Sequence, residues 1–278
     1  QQVTKAMKMV AAAKLRRAQD RIIQLRPYAT KLQEIIGNVV SVLDAEDIPS
    51  RFVEQREGNK VLVMVITSNR GLAGPFNANI IKHTVAFLKE NHPEAYAAKD
   101  IQFLCLGRKG HEFFKKSGFE VNGENRDVFT KLSFEGVNEV VDEAFEKFLT
   151  GEVDKVYVMY NEFKNVMTQI RRAETLLPLA VDSLDEGEEQ ASSDYIFEPA
   201  REEILTELIP RALRLQVFRG VLESNASEQG ARMVAMDSAT ENAEELLKDL
   251  KLKYNKARQA AITKEILEIA AGADALVD

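Results

Sequence analysis

Two clusters of cations are the side chains best placed to do chemistry. Residues 1–26 carry Lys5, Lys8, Lys14, Arg16, Arg17, Arg21 and Arg26 against one acid, Asp20. Residues 251–264 carry Lys251, Lys253, Lys256, Arg258 and Lys264 against none. The whole chain has a formal net charge of −7, so both blocks stand out from an acidic background. Their chemistry is electrostatic capture of an acidic partner, with no bond made or broken. A solvated face accounts for either block taken alone. Nucleic acid is one acidic partner, but Tyr254 is the sole aromatic within either block and no groove-reading motif accompanies them.

Bond-making sets are missing. No G-x-x-x-x-G-K-[ST] phosphate loop and no G-x-G-x-x-G turn occurs. Gly71 and Gly74 echo such a turn at the wrong spacing. There is no G-x-S-x-G elbow. His83, His92 and His111 are too scattered to suggest metal ligands, and no pair of acids stands out for acid–base work. Catalysis by this chain alone is not expected. Cys105 has no second cysteine to pair with and sits in an apolar run, which suggests a buried, reduced thiol of an intracellular protein. No apolar run is long enough to cross a membrane, and no signal peptide is visible.

The elements that must position the cations are two long helices. Met233, Met236, Thr240, Ala243, Leu247, Leu250, Tyr254, Ala257 and Ala261 follow at alternating spacings of 3 and 4, with no proline or glycine in 232–271. That is a coiled-coil seam rather than one amphipathic helix on a globular core. Ala11, Leu15, Ala18, Ile22, Leu25, Ala29, Leu32, Ile36, Val39 and Leu43 make the matching seam, and Val3 and Met7 extend it backward. About 45 helical residues reach roughly 68 Å. A chain that leaves this pair through a compact domain and returns makes the pair antiparallel. Residues near 10 are then expected beside 255–265, with both basic blocks at one end. Alanine-rich seams allow a thin rod. Pro27 predicts a kink within the first helix.

The middle of the chain reads as strands alternating with helices. Strands are expected at 60–67, 101–106, 154–163 and 166–177, the last antiparallel to its predecessor. Helices are expected near 76–91, 107–116 and 135–149. Alternation implies a mostly parallel sheet covered on both faces. The fold class is therefore α/β: a long antiparallel coiled coil of N- and C-terminal helices plus a central Rossmann-like α/β domain. The divisions are 1–50, 60–198 and 199–278. Residues 182–198 are acidic and loop-like, and Pro199 suits the first turn of the last helix. Pro210, Gly220 and Gly230 predict a kinked or loosely wound first half of that helix. Beyond it, Ile262, Ile266, Ile269, Ala273 and Leu276 form an apolar stripe with Leu267, Ala270 and Ala271 on neighbouring faces. Such a tip is either frayed or held in an apolar sleeve made by other chains.

Both ends resemble the γ-subunit family of F-type ATP synthases. The likeness is carried by Thr4-Lys5-Ala6-Met7-Lys8-Met9-Val10-Ala11-Ala12-Ala13-Lys14-Leu15-Arg16. It continues in Leu222-Glu223-Ser224, Ala226-Ser227-Glu228, Ala231 to Met236, Ala239-Thr240 and Asn242-Ala243. It resumes in Tyr254 to Thr263 and Glu265-Ile266. In the middle, Ser68, Arg70-Gly71-Leu72, Gly74, Phe76 and Asn77 resemble the family's loop after its first strand, with Asn69 and Ala73 replacing an Asp and a Cys. The chain opens on Gln1 inside the helical pattern, so the natural N-terminus is expected upstream. The acidic balance and the lack of a chloroplast-type cysteine insertion suggest a bacterial source.

The resemblance implies a rotating central shaft in a proton-translocating ATP synthase, placed at the cytoplasmic face of the bacterial inner membrane. The implied partners are three α and three β subunits, ε and the membrane c-ring. ATP, ADP and Mg are implied on α and β, with no cofactor on this chain and no nucleic acid. An acidic loop on β would face the basic blocks. Contact with the α and β ring carries over to Met7, Lys8, Arg258, Gln259 and Thr263, and the apolar tip to Ile262, Ile266, Ile269 and Leu276. A coiled-coil module that clamps nucleic acid or another acidic partner is the competing reading.

Overall fold

The computed structural model describes residues 1–40, 51–53, 56, 58–123, 126–130, 132–179 and 201–274. Leu43, Leu276 and the acidic stretch 182–198 lie outside them. Two helices dominate: α1 over Gln2–Val40 and α6 over Arg201–Asp274. Between them lie β1 (Val61–Ile66), α2 (Phe76–Asn91), α3 (Pro93–Ala98), β2 (Ile101–Leu106), α4 (Arg108–Lys116) and β3 (Glu120–Asn122). A 3-10 turn at Arg126–Phe129, α5 (Phe134–Leu149), β4 (Lys155–Phe163) and β5 (Gln169–Leu177) complete the set. The strand order is β3-β2-β1-β4-β5. All neighbours are parallel except β4 and β5, which pair antiparallel as expected. Two short elements, α3 and β3, have no counterpart in the expected set. Six and three residues respectively leave too little periodicity to read.

Every residue of β1 is buried, so the strand is covered on both faces, as its unbroken apolar run requires. Alternate side chains divide between two cores. Leu62, Met64, Ile66, Val156 and Val158 pack with α5 and with Leu205 to Val221 of α6. Val61, Val63, Val65, Phe103, Cys105 and Met159 pack against Ile80, Leu88 and Phe114 from α2 and α4. Burial raises the Cys105 thiol pKa to about 12. The turn into α4 needs Gly107, at φ 112°, because a Cβ there would collide with the Thr67 carbonyl. Ser133 caps α5, its hydroxyl accepting from the Gly136 amide at 3.2 Å.

The first half of the last helix is not loosely wound. It is one unbroken α-helix through Pro210, Gly220 and Gly230. The two glycines serve close packing. A Cβ on Gly220 would stand 3.3 Å from Cδ1 of Tyr160, and one on Gly230 3.3 Å from Cε2 of Phe163. They let the helix lie directly on β4. Helix α1 continues through Pro27, as expected of a proline that does not stop it. Among the described residues no helix is long and apolar enough to cross a membrane, and no cluster of side chains could hold a metal ion.

Candidate functional site: the rod and its junction with the sheet

The two helices pack antiparallel, with Ala11, Leu15, Ala18 and Ile22 of the expected seam all buried. Small side chains at Ala18 and Ala226 allow close approach. Polar pairs report the register. The Thr4 and Thr240 hydroxyls lie 2.7 Å apart. Lys8 Nζ meets Asp237 Oδ1 at 2.5 Å. Gln1 Nε2 donates to Glu244 Oε1 at 2.5 Å.

This register corrects the expected one. Residues near 10 lie beside residues near 235, not 255–265. The two basic blocks therefore follow each other along the rod instead of converging. A repeat of 3 and 4 fits equally well after a shift of any whole heptad, so the seam alone leaves the axial position open. The polar pairs, and the docking of the first half of α6 on the sheet, select one shift.

From about residue 245 onward α6 runs past Gln1, the first residue given of α1. Leu247, Leu250 and Tyr254 continue the seam yet are 46%, 55% and 66% exposed. Ile262, Ile266 and Ile269 of the apolar tip are exposed as well. Arg258, Gln259 and Thr263 are exposed on the same segment. The Thr263 hydroxyl donates to the Gln259 carbonyl at 2.9 Å. Met7 is half-buried, and Lys8 is committed to Asp237. Met7 and Lys8 therefore sit where the rod is double. Arg258, Gln259 and Thr263 lie about 30 Å further along at 1.5 Å per residue, past the first residue given of α1.

At its other end the rod is fastened to the sheet by buried polar contacts. Glu223 accepts from the Phe163 amide at the end of β4, 3.0 Å away. Burial, helped by the charge of Glu162, holds its carboxyl above the usual carboxylate range. The Ser227 hydroxyl donates to the Asn161 carbonyl at 3.0 Å. On the sheet, Glu174 accepts from Tyr160 Oη at 2.6 Å and from Gln216 Nε2 of α6 at 3.0 Å. With Arg26 of α1 and Arg219 of α6, Tyr160, Glu174 and Glu223 line a polar recess of about 390 Å³ where both helices meet β4 and β5.

A second fastening uses the loop after β1. Ser68 and Asn77 close that loop: the Ser68 amide donates to Asn77 Oδ1 at 2.9 Å, and Asn77 Nδ2 donates to Ser68 Oγ at 2.8 Å. Its middle presses on α6, with Ala73 and Phe76 packed on Ala231. Gly74, at φ 56°, approaches Ala235. Arg232 spans the joint, pairing with Glu228 at 2.6 Å and donating to the Gly71 carbonyl at 3.4 Å. Burial raises the Glu228 carboxyl, and the Arg232 charge opposes that rise. Asn69, one of the two departures in the loop, has its Oδ1 accepting from the Arg108 amide at the start of α4. Sequence reasoning quoted Glu223, Glu228 and Arg232 within motifs but gave them no role. The spacing of four between Glu228 and Arg232 was the available signal.

The ATP synthase family model matches residues 1–276 of the chain. The ATP synthase gamma chain of Cytophaga hutchinsonii is 52% identical over 277 residues, which span 99% of this chain and 94% of that one. This chain belongs to the ATP synthase gamma chain family. The family's gamma chain from Chlorobaculum tepidum is 51% identical over 276 residues, with the same coverage of both chains. Among solved structures, a chain of the Tetrahymena thermophila mitochondrial ATP synthase central stalk and c-ring matches at TM-score 0.60 and 23% identity. It is covered to 99%, and this chain to 86%. A chain of the Euglena gracilis mitochondrial enzyme matches at TM-score 0.57 and 19% identity, covering 95% of each. These last two likenesses speak for the fold alone. As a gamma chain, the molecule is a non-catalytic subunit of the synthase.

Proposed function

We propose that this chain is the rotating central shaft coupling proton flow through a membrane c-ring to ATP synthesis at β-subunit sites. One observation carries the reading: α6 is a single uninterrupted helix shared between the domain core and the rod. Its first half is fixed to the sheet by one of the two apolar cores and by polar ties at Glu223 and Ser227. Its second half carries the second basic block and the apolar tip away from the domain. Rotation imposed on the domain therefore reaches the far end without a hinge. At 74 residues the helix extends about 111 Å.

In this reading three α and three β subunits enclose the far end, and ε and the c-ring hold the domain. The complex sits on the cytoplasmic face of a bacterial inner membrane. ATP, ADP and Mg belong to α and β, and this chain holds no cofactor. The exposed apolar stripe at Ile262, Ile266 and Ile269 supports an apolar sleeve around the tip. Met7, Lys8, Arg258, Gln259 and Thr263 face the ring. The basic blocks answer an acidic loop on β.

Met7→Lys tests this. It adds a cation where the rod is double, and in membranes it should lower ATP-driven proton pumping per ATP hydrolysed while leaving assembly intact. Unchanged pumping would remove the stator assignment. A nucleic-acid clamp would instead bind DNA with a steep dependence on salt.

A further inference from the structure

The face of the sheet turned away from the rod carries a second surface. Helices α2 and α4 lie side by side there, and an open groove of about 800 Å³ runs between them. Its floor is apolar, made by Ala78, Ile81 and Val85 of α2 with Phe113 of α4 as a wall. Phe113 is 42% exposed, unusual for a phenylalanine on a folded surface.

Lysines line both sides of this floor: Lys82 and Lys89 from α2, Lys109 and Lys116 from α4. The acid among them, Glu112, already takes Arg108 at 3.3 Å and Lys109 at 3.0 Å. The rim is thus cationic along both walls, in a chain whose formal net charge is −7.

We infer that this groove docks an amphipathic helix of a partner protein, apolar on one stripe and acidic on both flanks. Three features select a helix. The trough lies between two parallel ridges, the shape that helix-in-groove recognition uses. From Asn77 to Lys89 it extends about 18 Å, a little over three helical turns. Ile81 and Val85 of the floor are buried and half-buried, whereas a bilayer takes up side chains that stand proud of the surface. Anchors at i, i+3 and i+7 of the incoming helix would pack against Phe113 and Val85. Acids beside that stripe would meet lysines on either wall, which fixes orientation and speeds encounter more than it adds affinity. The inference concerns the opposite face of the domain and stands apart from the shaft reading.

The test uses the assembled complex, purified through a tag on this chain, with a benzophenone amino acid replacing Lys116. Irradiation should give an adduct on one partner segment that is helical, apolar on one stripe and acidic on both flanks. Phe113→Asp should cut adduct yield about tenfold or more through loss of the anchor wall. Lys82→Glu with Lys89→Glu leaves the floor intact and should lower the yield with less salt dependence, so a folding failure of the first variant does not decide the matter. The proposal is overturned by no adduct, by an adduct on lipid or on a basic segment, or by unchanged yields in both variants.

Discussion

Cysteines at Thr4 and Thr240 would test the register of the rod directly. The two hydroxyls touch at 2.7 Å, so paired thiols are within disulfide reach after small side-chain rotation. Ala11 and Ala257 provide the contrast, since the repeat pattern alone pairs them. In the observed register Ala11 lies opposite residues near 234, about 35 Å along the axis from Ala257. That is far beyond the ~7 Å Cα separation a disulfide tolerates. The native Cys105 does not interfere, because its thiol is buried with a pKa of about 12 and holds little thiolate near neutrality. The new bridge would span a separation of 236 residues, and the chain-entropy model gives an upper bound of about 5.5 kcal/mol for it. The assay is mobility on a non-reducing gel, followed by denaturant midpoints with and without reductant. Both cysteines belong to one rotating body, so hydrolysis and pumping should survive the bridge. The register argument fails if 11 and 257 bridge and 4 and 240 do not. The single-body argument fails if the 4–240 bridge stops turnover.

Two further perturbations probe the junctions. Arg232→Ala leaves Glu228 buried without its cation and frees the Gly71 loop; the urea midpoint should fall by about 3 kcal/mol in stability, with Arg232→Lys recovering part. An unchanged midpoint would mean the loop does not clamp α6. Glu223→Gln keeps an acceptor for the Phe163 amide but removes a carboxyl whose pKa is raised by burial. A raised carboxyl costs stability once pH climbs past the usual carboxylate range. The variant's advantage over wild type should therefore grow as pH rises from about 4 toward neutrality in denaturant titrations. A constant difference across that span would show that Glu223 ionises as freely folded as unfolded.

The sheet was legible because its central strands are buried on both faces, which leaves apolar runs such as Lys60–Thr67 with nothing else to be. Gly220 and Gly230 misled for a definite reason. Glycine weakens an isolated helix, but against β4 it is what the neighbouring Tyr160 and Phe163 rings leave room for. The fastening of α6 was not legible, because Glu223 finds its amide on Phe163, 60 residues away, and no local pattern records such a pairing. The projecting residues Arg258, Gln259 and Thr263 were found by family motif; their own helical environment marks them as ordinary exposed positions.

By itself the sequence determined that two long seams exist, that an α/β domain separates them and that cations cluster on the rod. Helical and strand periods are local properties, and burial preference follows from residue type. How far one helix slides along the other is set in the folded molecule alone. A repeating seam is degenerate under heptad shifts, and the choice rests on contacts between residues more than two hundred positions apart, Thr4 with Thr240 and Lys8 with Asp237.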